Sequence, residues 1–262
     1  MDMKNFFSFK MGMVLFAALL LFWPGAQTAT AADTLVVGVS DDIPPMVFRD
    51  RGAELIGYDV DLLHEIGRRI NKKIEFKVIS WDQKEQELAN KSIDVIASQL
   101  SITEERKKIL RYTQPVMQNF QAIIVAAASP IQNKKDLEGK TVCALTGAYI
   151  IDEIRKLPGQ KIQVKTADGN EQCLVKLLAG EVDASVLDGV PGIYYANNNQ
   201  GAFRILPENF GKDESRMACA YPMPRWQRNS TGHLRQSKPT AQCRPFVNAG
   251  LAKNKMPAAR MG

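Results

Sequence analysis

IDVIASQLSITEER, residues 93–106, is the stretch on which the reading of this chain turns. An apolar, β-branched run ends in small hydroxyl residues, and Thr103 then precedes two glutamates and Arg106. The run reads as a buried strand and Thr103 as the N-cap of a helix that starts at once. A strand feeding directly into a capped helix is the half-unit of an α/β fold. The junction also has a chemical reading. Unpaired N–H groups at a helix start favour an anion, and an arginine there offers a planar, two-pronged partner for a carboxylate. Plain capping and a carboxylate cradle fit this segment equally well on local grounds.

Working outward, the alternation continues on both sides. TLVVGV (34–39) reads as a strand, and Pro44 and Pro45 forbid helix in the loop that follows. Residues 57–71 read as a helix, with Leu62, Ile66 and Ile70 on one face and Asp61, Glu65 and Arg69 on another. IEFKVI (74–79) is a strand, and residues 82–90 form a short helix capped by Asp82. Beyond the opening stretch, residues 120–125 are a strand. TVCAL (141–145) then starts a second round: a helix from about 148 to 156, strand KIQVK, and helix NEQCLVKLLAG capped by Asp168 or Asn170. Strand VDASVL (182–187) and helix GVPGIYYANN (189–198) complete it. Two such rounds predict two α/β lobes with mainly parallel sheets. IDVIAS and VDASVL, each following a short helix, make the lobes look related. In such sheets ligands collect at the carboxyl ends of strands, which is where SQLSITEER lies.

The 262 residues suffice for two small cores, and 45% hydrophobic with 24% charged residues is an ordinary globular mixture. Residues 1–31 read as a secretory signal peptide, with Lys4 and Lys10 ahead of MGMVLFAALLLFW and ATA as a cleavage site. The expected location is therefore the periplasm, where disulfides can form. Cys143, Cys173, Cys219 and Cys243 allow three pairings and contain no CxxC pair, so no metal site is expected. The net charge of +6 is unevenly placed: residues 215–262 hold nine Lys/Arg and no acid. The remaining 25 basic residues, 34 less nine, face 28 acidic ones for a net of −3. The basic character thus belongs to the tail and is no argument for nucleic acid binding by the folded part.

GYDVDLLHEIGRRI (57–70), SQLSITEERKKI (98–109), GKTVCALTGAY (139–149) and GEVDASVLD (180–188), in that order, resemble the motifs of the family 3 extracellular solute-binding proteins. The resemblance implies the type II periplasmic-binding-protein fold, an α/β fold of two lobes with two crossing strands and a ligand cleft between them. The crossings fall near FQAIIVA and SRMACAY. It implies a receptor rather than an enzyme: a monomer without cofactor that captures a polar amino acid and delivers it to an inner-membrane ABC permease. The alternative is a cyclohexadienyl or arogenate dehydratase-like enzyme on the same fold. Carried over, Arg106 would pair with the ligand α-carboxylate, helped by Ser98, Gln99 and Ser101 at the same turn. Tyr58 would stack on the ligand side chain, and Asp188 would take the α-ammonium. Gly147, Ala148 and Tyr149 would line the second lobe. Some relatives carry cysteines near Cys143 and Cys173, which implies a disulfide between them. Ile43, Gln99 and the Ala148–Tyr149 pair depart from the family pattern, so a standard ligand is not implied.

The expected division is a signal peptide over 1–31, a first lobe over 32–120, a second over 121–216, and the second crossing with an atypical tail over 217–262. The tail has prolines and basic residues but no sustained 3.6-residue apolar repeat. It is either a divergent basic tail or the product of a reading-frame shift near residues 217–223; the second reading is taken here.

Overall fold

The computed structural model describes residues 33–159, 161–220, 226–228 and 234–236. The expected signal peptide and most of the tail lie outside the described residues. No described helix is long and apolar enough to cross a membrane.

The first half begins with β1 (Asp33–Val39), the short strands β2 (Asp42–Ile43), β3 (Val47–Arg49) and β4 (Leu55–Ile56), and helix α1 (Tyr58–Ile70). It continues with β5 (Lys72–Val78), a 3₁₀ turn at Trp81–Gln83, α2 (Lys84–Ala89), β6 (Val95–Leu100), α3 (Glu104–Lys107) and β7 (Leu110–Tyr112). β1 lies between β5 and β6, parallel to both, with Asp33 opposite Lys72 and Val37 opposite Val95. All six residues of β6 are buried, as the continuous apolar run required. Gly38 in β1 has a packing reason: a Cβ there would meet Ile93 Cδ1 at 2.6 Å.

α1 forms where periodicity placed it, but its buried stripe differs. Val60, Leu63, Ile66 and Gly67 face the core together with Asp59, whereas Leu62 and Ile70 are only partly buried. Gly67 lets the helix sit close to the sheet, since a Cβ there would meet Ile74 Cγ1 at 2.6 Å. The helix ends at Asn71 in the left-handed conformation. Asp82 does not cap α2. It lies inside the 3₁₀ turn, and the N-cap position is Gln83, which makes no side-chain capping bond.

The second half runs through β8 (Met117–Ala126), β9 (Thr141–Leu145), α4 (Ile150–Arg155), β10 (Gln163–Ala167), α5 (Asn170–Leu178), β11 (Ala184–Asp188), α6 (Gly189–Asn198) and the long β12 (Phe203–Ala220). β9 is parallel to β10 and β11. β8 and β12 are the crossing strands: they pair antiparallel from Met117–Ser215 to Ala126–Phe203, and β12 then continues antiparallel to β6 and β7. The two halves are thereby one sheet path, β10-β9-β11-β8-β12-β6-β1-β5, and two lobes. Register shifts in β12 between Ile205 and Asn209, and again before Lys212, bend the strand. β13 (Trp226–Arg228) and β14 (Leu234–Gln236) form a separate two-stranded pair.

The lobes repeat one device. Asp94 accepts a hydrogen bond from Val36 N at 2.9 Å, and Asp183 accepts one from Thr141 N at 2.8 Å. Each aspartate precedes a buried strand and ties its lead-in to a neighbouring parallel strand. Cys143 of β9 and Cys173 of α5 form a disulfide, with Cα atoms 5.5 Å apart and a sequence separation of 30. His64 is exposed on α1 and meets the ring of Phe76 edge-on at 5.3 Å, a surface placement.

Candidate functional site

The carboxyl end of β6 turns sharply into the space between the lobes. Ser98 and Gln99 both have positive φ, 76° and 58°. That conformation costs a non-glycine residue about 1–2 kcal/mol. The turn is held by its neighbours: Ser98 Oγ accepts from Ser40 N at 3.1 Å, and the Gln99 side chain runs inward to Asp59 and Ser215. Thr103 Oγ1 accepts from Arg106 N at 3.1 Å, so the predicted cap is present on a helix of four residues. The cap and the placement of Arg106 are therefore one arrangement, because the capped turn carries the arginine.

Arg106 is 9% exposed. Its Nε donates to Glu85 Oε1 at 2.9 Å, Nη1 to the Ser101 carbonyl at 3.2 Å and Nη2 to the Gly147 carbonyl, in the other lobe, at 3.3 Å. Ser101 Oγ donates to Asp213 Oδ2. Lys84 is buried beside this group. Its Nζ donates to the Trp81 carbonyl at 2.6 Å and the Gly147 carbonyl at 3.2 Å, and lies 3.3 Å from Glu85 Oε2. Burial, then the nearby Arg106 charge, lowers its pKa to about 8.

Asp188 closes β11 on the opposite side. It accepts from Asn119 Nδ2 at 2.5 Å and Gln121 Nε2 at 2.6 Å, both on crossing strand β8. Burial raises its pKa to about 6 against those two hydrogen bonds, and Asp213 adds to the rise. Asp59 is fully enclosed, and burial raises its pKa to about 7.

One cavity between the lobes is lined by Arg106, Ser98, Gln99 and Ser101 of the first and by Ala148, Tyr149 and Asp188 of the second. Seven of the nine expected ligand contacts are thus brought together. Gly147 stands just outside, as the carbonyl that Arg106 and Lys84 share. Its φ is +77°, and a Cβ would lie 2.5 Å from Asp82 Cα, so the lobes meet there at backbone distance. Tyr58 is not brought to the cavity. At the first position of α1 it packs, partly buried, against the core of its own lobe.

The first lobe's aromatic lining is Trp81 instead, with Ser40, Ile43, Gln121 and Asn170 also lining the space. Trp81 escaped sequence reading although it follows the carboxyl end of β5, the position that singled out SQLSITEER. Asn119 and Gln121 could have been found from their i, i+2 spacing on a crossing strand, which puts both on one face. The cavity volume is about 30 Å³, room for a few waters.

Helix α5 supplies a correction. Neither Asp168 nor Asn170 caps it; Gly169 is the N-cap, without a side-chain bond. The Asn170 N–H instead donates to Asp42 Oδ2, from the other lobe. Asp42 also accepts from Ser40 Oγ at 2.7 Å, and its own carbonyl accepts from Tyr195 OH at 3.1 Å. Burial raises the Asp42 pKa.

Compared with known proteins, residues 35–255 match the family "Bacterial extracellular solute-binding proteins, family 3". The chain is 30% identical to the "Probable amino-acid-binding protein YxeM" of Bacillus subtilis over 59% of each chain. It is 26% identical to the L-cystine-binding protein TcyJ of Escherichia coli over 71% of this chain and 70% of that one. With the histidine-binding periplasmic protein of Escherichia coli identity is 31%, over 68% and 70%. The alignments span 59–70% of these relatives' own lengths. Among solved structures, the arginine-bound, truncated ArgBP from T. maritima superposes with a TM-score of 0.67 at 33% identity, covering 71% of this chain and 87% of that one. An ancestral arginine-binding protein bound to glutamine gives 0.68 at 31%, covering 72% and 85%.

Proposed function

The chain belongs to the family 3 bacterial extracellular solute-binding proteins, and from that premise we propose that it is a periplasmic, non-enzymatic receptor for an amino acid, delivering it to an ABC permease. The observation that carries the proposal is the placement of Arg106 and Asp188 in one cavity, a buried cation and a half-buried anion facing a common space. An amino-acid zwitterion presents the matching pair of charges. In a closed, water-poor cleft such charge-assisted hydrogen bonds are far stronger than in solvent.

On this reading Arg106 binds the α-carboxylate, with Ser98, Gln99 and Ser101 shaping the turn beside it. Asp188, oriented by Asn119 and Gln121, binds the α-ammonium. Ala148 and Tyr149 close over the ligand from the second lobe, and Glu85 holds the Arg106 fork in place. Relatives named for binding cystine, histidine and arginine support the substrate class. Asp188 is held by two amides, and Asp42 is occupied by Ser40 and α5, which supports a binding role for the described carboxylates. Export through the leader and handover to a permease follow the family's habit as receptors outside the cell.

Calorimetric titration of the purified protein with the twenty amino acids tests this. Saturable 1:1 binding of one or a few, lost in Arg106→Ala, is expected. Absence of binding by every amino acid would remove the proposal.

A further inference from the structure

The receptor reading leaves the ligand's side chain open, and the charge balance of the cavity bears on it. Among the described residues lining the space, Arg106 is the one cation and Asp188 the one anion. Both are consumed by the two charges that every free amino acid carries. The rest of the charged groups nearby are engaged. Asp42 has Ser40 Oγ on one oxygen and the Asn170 N–H on the other. Lys84 has three oxygen partners for its three N–H bonds: Trp81 O, Gly147 O and Glu85 Oε2. Glu85 divides itself between Lys84 and Arg106. Asp59 and Asp213 are within electrostatic reach of Asp188 and reinforce the ammonium end.

What remains is largely an apolar wall. Ile43, Trp81, Leu145, Ile150, Val186 and Leu187 all line the cavity. Trp81 and Leu145, from different lobes, belong to one packed apolar cluster. The polar Ser40 and Gln121 already direct their hydrogens to Asp42 and Asp188.

We propose that the ligand is an amino acid with an uncharged side chain, lodged against the wall made by Trp81, Ile43 and Leu145. A side-chain guanidinium, ammonium or carboxylate would be buried there without a counter-charge, and an unpaired buried ion is strongly unfavourable. The inference rests on the receptor reading and narrows it.

The test is calorimetric titration of the full chain with glutamine, methionine, leucine and serine against arginine, lysine, glutamate and aspartate, each with wild type and Asp42→Asn. The tightest ligand is expected among the first four, with every charged one about a hundredfold weaker or more. The ranking should be unchanged in Asp42→Asn, because that carboxylate serves α5 and not the ligand. Arginine or lysine binding tightest, all the more if Asp42→Asn abolishes that preference, overturns the inference while leaving the receptor intact. Glutamate or aspartate binding tightest does the same. No binding by any amino acid overturns both.

Discussion

Arg106 has its guanidinium oriented by the protein itself: Glu85 takes Nε, and two backbone carbonyls take one nitrogen each of the fork. Preorganisation of this kind reduces what binding must spend on ordering the side chain. Arg106→Ala should therefore weaken amino-acid binding by about 2–5 kcal/mol, roughly thirtyfold or more, in a calorimetric titration. Arg106→Lys should recover little of it, since an ammonium cannot reproduce the planar fork. Asp188 gives a pH signature. Its pKa of about 6 lies above the ordinary carboxyl value, chiefly through burial. A raised folded-state pKa means that its contribution to stability is fully present below the ordinary pKa of 3.8 and is lost as pH rises through 6. Ligand binding has the opposite sense, because an α-ammonium needs the ionised carboxylate. Affinity should hold above pH 6 and fall about tenfold per unit below it, and Asp188→Asn should flatten that slope. Titrations at pH 5, 6 and 7.5 check both statements. Equal affinity at all three in wild type would exclude Asp188 as the ammonium partner.

At the level of elements, the order of strands and helices was legible because period and punctuation agreed. β6 and β11 are buried runs that open apolar and close on polar residues, and α6 occupies the ten residues that composition assigned to it. What could not be read were relations supplied by distant chain. The start of α5 is satisfied by Asp42, 128 residues away, so its two local candidates were both wrong. Leu62 leads the four-residue apolar repeat of α1, but Leu63 is the fully buried residue and Leu62 only partly so; the apolar repeat alone does not fix which face meets the sheet. Tyr58 sits at the helix start next to Asp59, and the sheet took it as packing. Within the second lobe the Cys143–Cys173 link closes a 30-residue loop over β10. Removing it through Cys143→Ala with Cys173→Ala should cost roughly 2–4 kcal/mol, seen as a lower midpoint in thermal or urea unfolding. Reductant should produce a similar shift in wild type and none in the variant.

Across the whole molecule, two of the polar contacts between the lobes lie beside the cavity. One is the Gly147 carbonyl with Lys84 and Arg106; the other is Asp42 with α5 and Tyr195. Gly147→Ala adds a methyl at backbone distance from Asp82 in a left-handed conformation. It should hold the lobes apart, enlarging the radius of gyration in X-ray scattering with ligand bound and weakening affinity, while the separate lobe cores stay intact. A variant that closes to the wild-type radius would show that the Gly147 contact is dispensable.

The Asp42 contact has a further consequence. An α-helix whose first amide is satisfied only by the facing lobe cannot complete its own start when that lobe swings away. Each excursion to the open form strips the Asn170 amide of its acceptor, at a loss typical of a missing cap, about 1 kcal/mol. Hydrogen–deuterium exchange at that single amide therefore works as a clock on the cleft. Its rate counts how often the protein opens, and saturation with ligand should slow it while leaving the amides of β9 unaffected.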